Sequence, residues 1–291
     1  MPYLGTINGG YYFNVLYLTF NSHKTLIDKT IEGPIPVCKN VFENIGRCTY
    51  LSKTELATAG PLVPFRFHNK VVQAHPKVKA IYDQEWYPLM VKNGFLEVLV
   101  QNEVVLVPDK TKEVELANLI TNLIHSLAPE HDFVLINSGG LRTTWFPGII
   151  EFQHFYNMFP FTNSLKSFEI TGKELLQTLA IVQSGAKGYY PTYGFTQYVQ
   201  TSSGEKHKFI NATMYNGTAI DPEATYKGIT IDFLLNGGDD FKDVIGKVYT
   251  PRNVRDLGVI RTVLKKPLVD LKVIEEGTLI DPDHPRLIVL N

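Results

Sequence analysis

Cysteine is scarce: Cys38 and Cys48 are the only two in 291 residues. Two thiols cannot build the disulfide framework of a small secreted scaffold, and no partner stands at zinc-ligand spacing from them. Free thiols in a reducing compartment are therefore expected, and with them an intracellular protein. An excess of one sign of charge is also missing, the net charge being -1. That leaves no electrostatic footprint for nucleic acid or for an anionic membrane. Long apolar runs are absent, so no transmembrane segment is expected: YYFNVLYLTF is broken by Asn14 and is too short to span a bilayer. The first basic residue is Lys24, which fits neither a secretory leader nor an Arg-rich transit peptide. With no leader, the sequons at Asn211 and Asn216 read as chance matches.

Several chemical signatures are missing too. Ser138 lies in Asn-Ser-Gly-Gly, not in the G-x-S-x-G elbow of a hydrolase nucleophile. Neither Gly-rich stretch continues into a phosphate-loop lysine or a dinucleotide fingerprint. The eight histidines are scattered, and the nearest N-terminal pair, His68 and His75, has no neighbouring carboxylates. No metal site and no cofactor are expected from that pattern.

What is present is a core. Hydrophobic residues make up 44% of the chain, enough for one large domain or two small ones. Residues 1–74 are rich in β-branched and aromatic residues, with turn signals at Asn8-Gly9-Gly10, Gly33-Pro34 and Gly60-Pro61, and read as strands without a helix. Helical spacing of Val78, Ile81 and Tyr82 predicts a linker helix within 75–95, ending near Pro88. LEVLVQNEVVLVP reads as one or two strands, and KEVELANLITNLIHSLA as an amphipathic helix. FVLINSGG is a short buried strand running into a loop. A short helix stopped by Pro160 follows, then the strand SLKSFEI and a helix entered through the capping box Thr171 to Glu174. ATYKGITIDFLLNGG reads as a further strand into a loop. Strands and helices mix without strict alternation, which predicts an α+β fold with a mixed sheet covered by helices.

Three segments together carry a resemblance: INSGGLR, MFPFTNSLKSFEITGKEL and DFLLNGGDDF. In this order the chain resembles the C-terminal domain of the 5′-nucleotidase family, over about residues 97–265, with ELANLITNLI similar to that domain's opening helix. The resemblance implies a domain at 96–265 behind a β-rich extension at 1–74 and the linker helix at 75–95, with a tail at 266–291. PYLGTI, Pro2 to Ile7, is similar to the last strands of a metallophosphatase domain. The resemblance also implies that Phe161 and Phe233 sandwich a nucleoside base, a contact worth about 1–3 kcal/mol per base. Asn137 would lie beside the base, with Asn163 in the same pocket. Arg142 would sit near ribose and phosphate, where a guanidinium fork suits an anion. Asp239 would accept hydrogen bonds from ribose hydroxyls. Gly139, Gly140, Gly237 and Gly238 would let backbone approach the ligand.

Plain structural roles compete at each place. Phe161 and Phe233 fit an ordinary core, Asn137 fits a turn, and Arg142 and Asp239 fit a salt bridge between two loops. The chain also departs from the family pattern. Thr162 adds bulk after the first aromatic, Asp240 brings a second negative charge, and Lys110 and Lys112 stand where the family has arginine. Hydrolysis in the family takes two metal ions, whose Asp, His and Asn ligand spacings are missing here. The expectation is a protein inactive by itself, binding a nucleoside or nucleotide or serving as a structural subunit. The alternative is the substrate-binding half of a nucleotidase completed by a metal-bearing partner. The apolar tail LIDPDHPRLIVLN is expected to add an edge strand to a neighbouring subunit.

Overall fold

The computed structural model describes residues 12–48, 53–202 and 206–290. The segments expected to form phosphatase-like strands at 2–7 and a turn at 8–10 lie outside the described residues. The chain divides into two compact units, Met1–Trp86 and Tyr87–Asn291.

The first unit carries β1 (Tyr12–Phe20), β2 (Leu26–Pro36), β3 (Asn40–Phe42), α1 (Lys53–Thr58), β4 (Leu62–Pro64), β5 (Arg66–Phe67), β6 (Lys70–Val71), α2 (Pro76–Ile81) and a π-helical turn at Tyr82–Trp86. Strands β1 and β2 form an antiparallel ribbon. Its pairs Leu16↔Ile31, Leu18↔Lys29 and Phe20↔Leu26 share one face, where Leu18, Phe20, Leu26 and Ile31 are exposed. The opposite face is polar, with the Tyr17 hydroxyl donating to Glu32 at 2.9 Å and Glu32 also meeting His68 at 3.0 Å. Ile35, Val41, Phe42 and Ala59 are buried in this unit.

Three sequence expectations are corrected in this unit. Cys38 and Cys48 are not free thiols: they form a disulfide across a Cα–Cα distance of 6.3 Å. Their ten-residue separation gave no zinc spacing, yet the β3 turn folds the chain back and brings the two together. A disulfide persists in oxidising surroundings, so the thiol-based argument for a reducing compartment falls. Second, α1 is a helix where none was expected; Arg47 pairs with its first-turn residue Glu55. Third, Gly33-Pro34 is no chain reversal, because both residues lie inside β2 with a cis peptide between them.

The second unit opens with α3 (Tyr87–Lys92), followed by β7 (Val98–Asn102), α4 (Glu115–Leu127), β8 (Phe133–Leu135), β9 (Gly148–Glu151), α5 (Phe152–Met158), β10 (Ser164–Thr171) and α6 (Gly172–Gln183). Then come β11 (Thr192–Tyr193), β12 (Phe195–Ser202), β13 (Lys206–Met214), β14 (Thr225–Ile231), α7 (Asp232–Leu235), β15 (Arg252–Val259), α8 (Ile260–Val263), α9 (Lys265–Leu271), β16 (Val273–Ile274) and β17 (Leu287–Leu290). Helical structure therefore does not end before Pro88. That proline is the second residue of α3, which follows the π-helical turn Tyr82–Trp86 without a break.

The fold is α+β with mixed sheets and helices. A five-stranded sheet runs in the order β11-β8-β14-β10-β15, with β14 parallel to β8 and antiparallel to β10. The expected amphipathic helix is α4, whose Leu116, Leu119, Ile120, Leu123 and Ile124 are buried in the main core. Helix α6 starts at the capping box, where Thr171 Oγ1 accepts from the Glu174 N–H at 3.3 Å and the Thr171 N–H donates to Glu174 Oε2 at 2.8 Å.

The C-terminal tail does not wait for a neighbour. Strand β17 pairs in parallel with β12, Tyr198 facing Ile288. Glu113 accepts the backbone N–H groups of Arg286 and Leu287 at 2.9 and 3.2 Å. The buried Arg286 guanidinium donates to the carbonyl of Thr192 at 2.9 Å, and to Thr121 and Asn122 side chains. The chain's own sheet edge and these anchors satisfy the strand that the sequence alone assigns to another subunit.

Glu174 also receives Arg252, whose two guanidinium nitrogens reach its oxygens at 2.9 and 2.5 Å. That hydrogen-bonded arginine, helped by Thr171 against partial desolvation, holds the carboxyl down at about 2 from an ordinary 4.5. The depressed native value means that the unfolded chain takes up the proton first as pH falls. Stability from this group is thus full above about 4.5 and is lost on descending towards about 2. Melting temperatures measured across that window should fall with pH in the wild type and flatten in Glu174→Gln.

Candidate functional site

Three loops meet at one edge of the five-stranded sheet. The end of β8 leads into Asn137 and a 3₁₀ turn at Ser138–Gly140. The end of β14 leads into α7 and the 3₁₀ turn Asp239–Asp243. The start of β10 is preceded by Phe161, Thr162 and Asn163, and antiparallel pairing of Leu165 with Ile231 brings that start beside the end of β14. Together they enclose a cavity of about 500 Å³, a size ordinary for a small-molecule pocket.

The first loop contributes Asn137, Gly139, Gly140 and Arg142 to the lining. Arg142 does not pair with Asp239. It donates to the Gly139 carbonyl at 3.2 Å and lies 5.8 Å from the centre of the Phe161 ring. Gly140 packs tightly: a Cβ there would stand 3.0 Å from the buried Phe159 ring, which would have to shift slightly to admit it. Phe159 in turn meets Phe161 edge to face at 6.5 Å.

Phe161 and Phe233 both line the cavity and stay 43% and 40% exposed, so neither is an ordinary core residue. Asn163 reaches across the sheet edge, donating through Nδ2 to Asp232 Oδ1 at 2.9 Å, and that same oxygen accepts the Phe233 N–H at 2.7 Å. Phe233 thus lies in the helical turn α7 rather than continuing the strand. Gly237 and Gly238 are not part of the lining. Gly237 takes a φ of +81°, and a Cβ on Gly238 would fall 2.4 Å from Phe233 Cζ. The bare backbone at Gly238 is a back-rest for the ring.

Asp239 points into the cavity from a left-handed backbone, φ +50°. Asn137 Nδ2 donates to its Oδ2 at 2.7 Å, and Lys187 Nζ lies 3.6 Å from its Oδ1. The Oδ1 of Asn137 has no hydrogen-bond donor. Asp240 does the opposite and does not crowd a ligand anion. It is buried away from the cavity, where its Oδ2 accepts the Lys187 N–H at 3.2 Å and the Tyr190 hydroxyl at 3.3 Å. Its own N–H donates to that hydroxyl at 3.2 Å. Burial above all pushes the Tyr190 phenol well above its ordinary range, so it acts as a neutral wall.

Lys187 and Tyr190 line the cavity without any sequence motif to announce them; Lys110, Ser138, Thr162 and Ile231 complete the wall. Of the two lysines expected near the family's arginine position, Lys110 lines the cavity, whereas Lys112 sits 4.0 Å from Asp109 and is not among the lining. Thr162 Oγ1 is occupied by Arg261 at 3.3 Å. Three cations, Lys110, Arg142 and Lys187, face a single carboxylate, Asp239, within the lining. An apolar slot with a surplus of positive charge suits a flat aromatic ligand bearing an anion.

Among the described residues, no group of three or more His, Cys, Asp or Glu stands together as a metal site. The residues here do not fit a two-metal centre. Also among the described residues, no helix is long and apolar enough to cross a membrane.

The back-rest at Gly238 is directly testable. Gly238→Ala should displace the Phe233 ring, seen as shifted ring resonances, while the thermal midpoint moves by only a few degrees, because the ring is half in solvent.

A family model described as 5′-nucleotidase, C-terminal domain matches residues 93–245. The chain is 35% identical over 114 residues to Endonuclease YhcR of Bacillus subtilis, which covers 39% of this chain and 9% of that protein. It is 29% identical over 138 residues to Protein UshA of Escherichia coli, covering 46% of this chain and 24% of the relative. The structure of a 5′-nucleotidase precursor from Thermus thermophilus superposes with a TM-score of 0.67 at 22% identity, over 97% of this chain and 50% of that one. The chain therefore spans less than a quarter of these two curated relatives and half of the solved structure. Sequence motifs, sheet topology and the matched span agree: this chain belongs to the 5′-nucleotidase C-terminal domain family.

Proposed function

We propose that this chain holds a nucleoside or nucleotide, with the base between Phe161 and Phe233. The observation that carries the reading is the pair of half-exposed aromatics from separate loops lining one cavity. Left bare, each ring keeps apolar surface in water; a stacked base would cover it. Asp239, already oriented by Asn137, would accept from ribose hydroxyls, and Arg142 and Lys110 would meet a phosphate. The relative from Thermus thermophilus, described as a 5′-nucleotidase precursor, supports nucleotides as the ligand class.

In this reading the chain binds and does not cut. Calorimetric titration should show adenosine and adenosine 5′-monophosphate binding, with Phe233→Ala weakening both by roughly 5- to 150-fold, the equivalent of one stacking contact. No heat at millimolar ligand would mean that the cavity is not a nucleoside site.

A second reading makes the chain the substrate-holding half of a phosphoester hydrolase, completed by metal-carrying polypeptide. It is favoured by the ribbon of β1 and β2, whose Leu18, Phe20, Leu26 and Ile31 face is open. Both readings expect no hydrolysis of adenosine 5′-monophosphate by this chain with manganese or zinc. Turnover by the purified chain alone would overturn both.

A further inference from the structure

The cations of the cavity stand at two separate places. Arg142 packs on Phe161 and the Gly139 carbonyl, whereas Lys187 sits at Asp239, on the loop that carries Phe233. The backbone of Lys187 is held firmly. Its N–H donates to the buried Asp240, and two residues on the Tyr189 N–H donates to the Lys110 carbonyl at 2.6 Å. Between them Gly188, at φ +82°, packs so closely on that carbonyl that a Cβ would lie 2.2 Å from it. These contacts fix the backbone and leave the side chain of Lys187 as the adjustable part.

That side chain is loosely engaged. Its Nζ is 3.6 Å from Asp239 Oδ1, longer than the roughly 2.7–2.9 Å of a charge-assisted hydrogen bond. The lysine side chain is 56% exposed and its partner 18%, so water screens the pair from the lysine side and it contributes little. The ammonium is therefore free to leave Asp239 for a stronger anion. In dinucleotide sites a carboxylate reads the free ribose hydroxyl, whereas a cationic side chain nearby accommodates a phosphate on that oxygen.

Resting on the nucleotide reading of this cavity, we propose that Lys187 makes it a site for nucleotides carrying a second phosphate on the ribose 2′ or 3′ oxygen. The phosphate on that edge would take Lys187 from Asp239, while Arg142 remains available to the 5′-phosphate. Asp240 acts as a positioning residue, presenting the lysine without touching the ligand.

The test compares adenosine 5′-monophosphate with adenosine 3′,5′- and 2′,5′-bisphosphate by calorimetry. Wild type should bind one bisphosphate about tenfold more tightly than the monophosphate, the scale of a hydrogen bond to a charged group. Which bisphosphate gains identifies the oxygen. Lys187→Gln should abolish that ratio and Lys187→Arg should restore it, with circular dichroism confirming folded variants. If the monophosphate binds but neither bisphosphate binds more tightly, or if Lys187→Gln keeps the ratio, this inference fails alone. If the monophosphate does not bind, it falls together with the nucleotide reading.

Discussion

Everything at the cavity depends on the pairing of β8 with β14. The two strands run parallel, Phe133 facing Gly228 and Val134 facing Ile229, so their C-terminal ends leave the sheet at the same edge. Gly228 makes this approach possible, since the Phe133 ring occupies the space where a side chain would stand, 2.3 Å from the ideal Cβ. Because β10 and β14 are antiparallel, the start of β10 arrives at that edge too. The end of β15 follows it, and Ile260 donates from there to the Asn163 carbonyl at 3.0 Å. Arg261 then ties down the Pro160 carbonyl at 3.1 Å while lying over the Tyr156 ring at 4.0 Å. Two strand ends and one strand start thus present an amide, a carboxylate and two aromatics to a common space.

Adjacent residues in the loop after β14 have opposite duties. The left-handed conformation of Asp239 turns its carboxylate towards Asn137 and the cavity, and an aspartate tolerates that backbone better than a branched residue would. Asp240, next along, is turned inward and couples the loop to residues 187 and 190. A Cβ on Gly185 would collide with it at 2.3 Å, so the absence of a side chain there is part of the same joint. The second carboxylate is structural, and the positive surplus of the lining survives its presence.

The two compact units are stabilised differently. The second has a continuous apolar core running from Leu99 to Ile274, with helices packed on its sheets. In the first, few described side chains are buried, and the Cys38–Cys48 bond supplements them. A cross-link in so thin a core is worth roughly 2–4 kcal/mol, comparable to several buried methylene groups. The open apolar face of the β1–β2 ribbon belongs to this thinly filled unit.

Local rules in the sequence were enough for much of the fold. The apolar stripe of α4, the Thr171–Glu174 box of α6 and the apolar run of β8 each depend on neighbours in the chain, and each formed where its pattern predicts. The ordered motifs also carried the family. Other features depend on residues distant in sequence and had no local signal. The meeting of Cys38 with Cys48, the capture of the tail by β12, and the packing of Gly238 behind Phe233 are of this kind. So is the arrival of Lys187 beside Asp239, two residues far apart in the chain brought together by the Asp240 joint. Periodicity, capping and motif order, all short-range, determined the elements and the lineage. Which charges share a cavity, and which are turned away from it, was decided only when long-range strand pairing closed the loops upon one another.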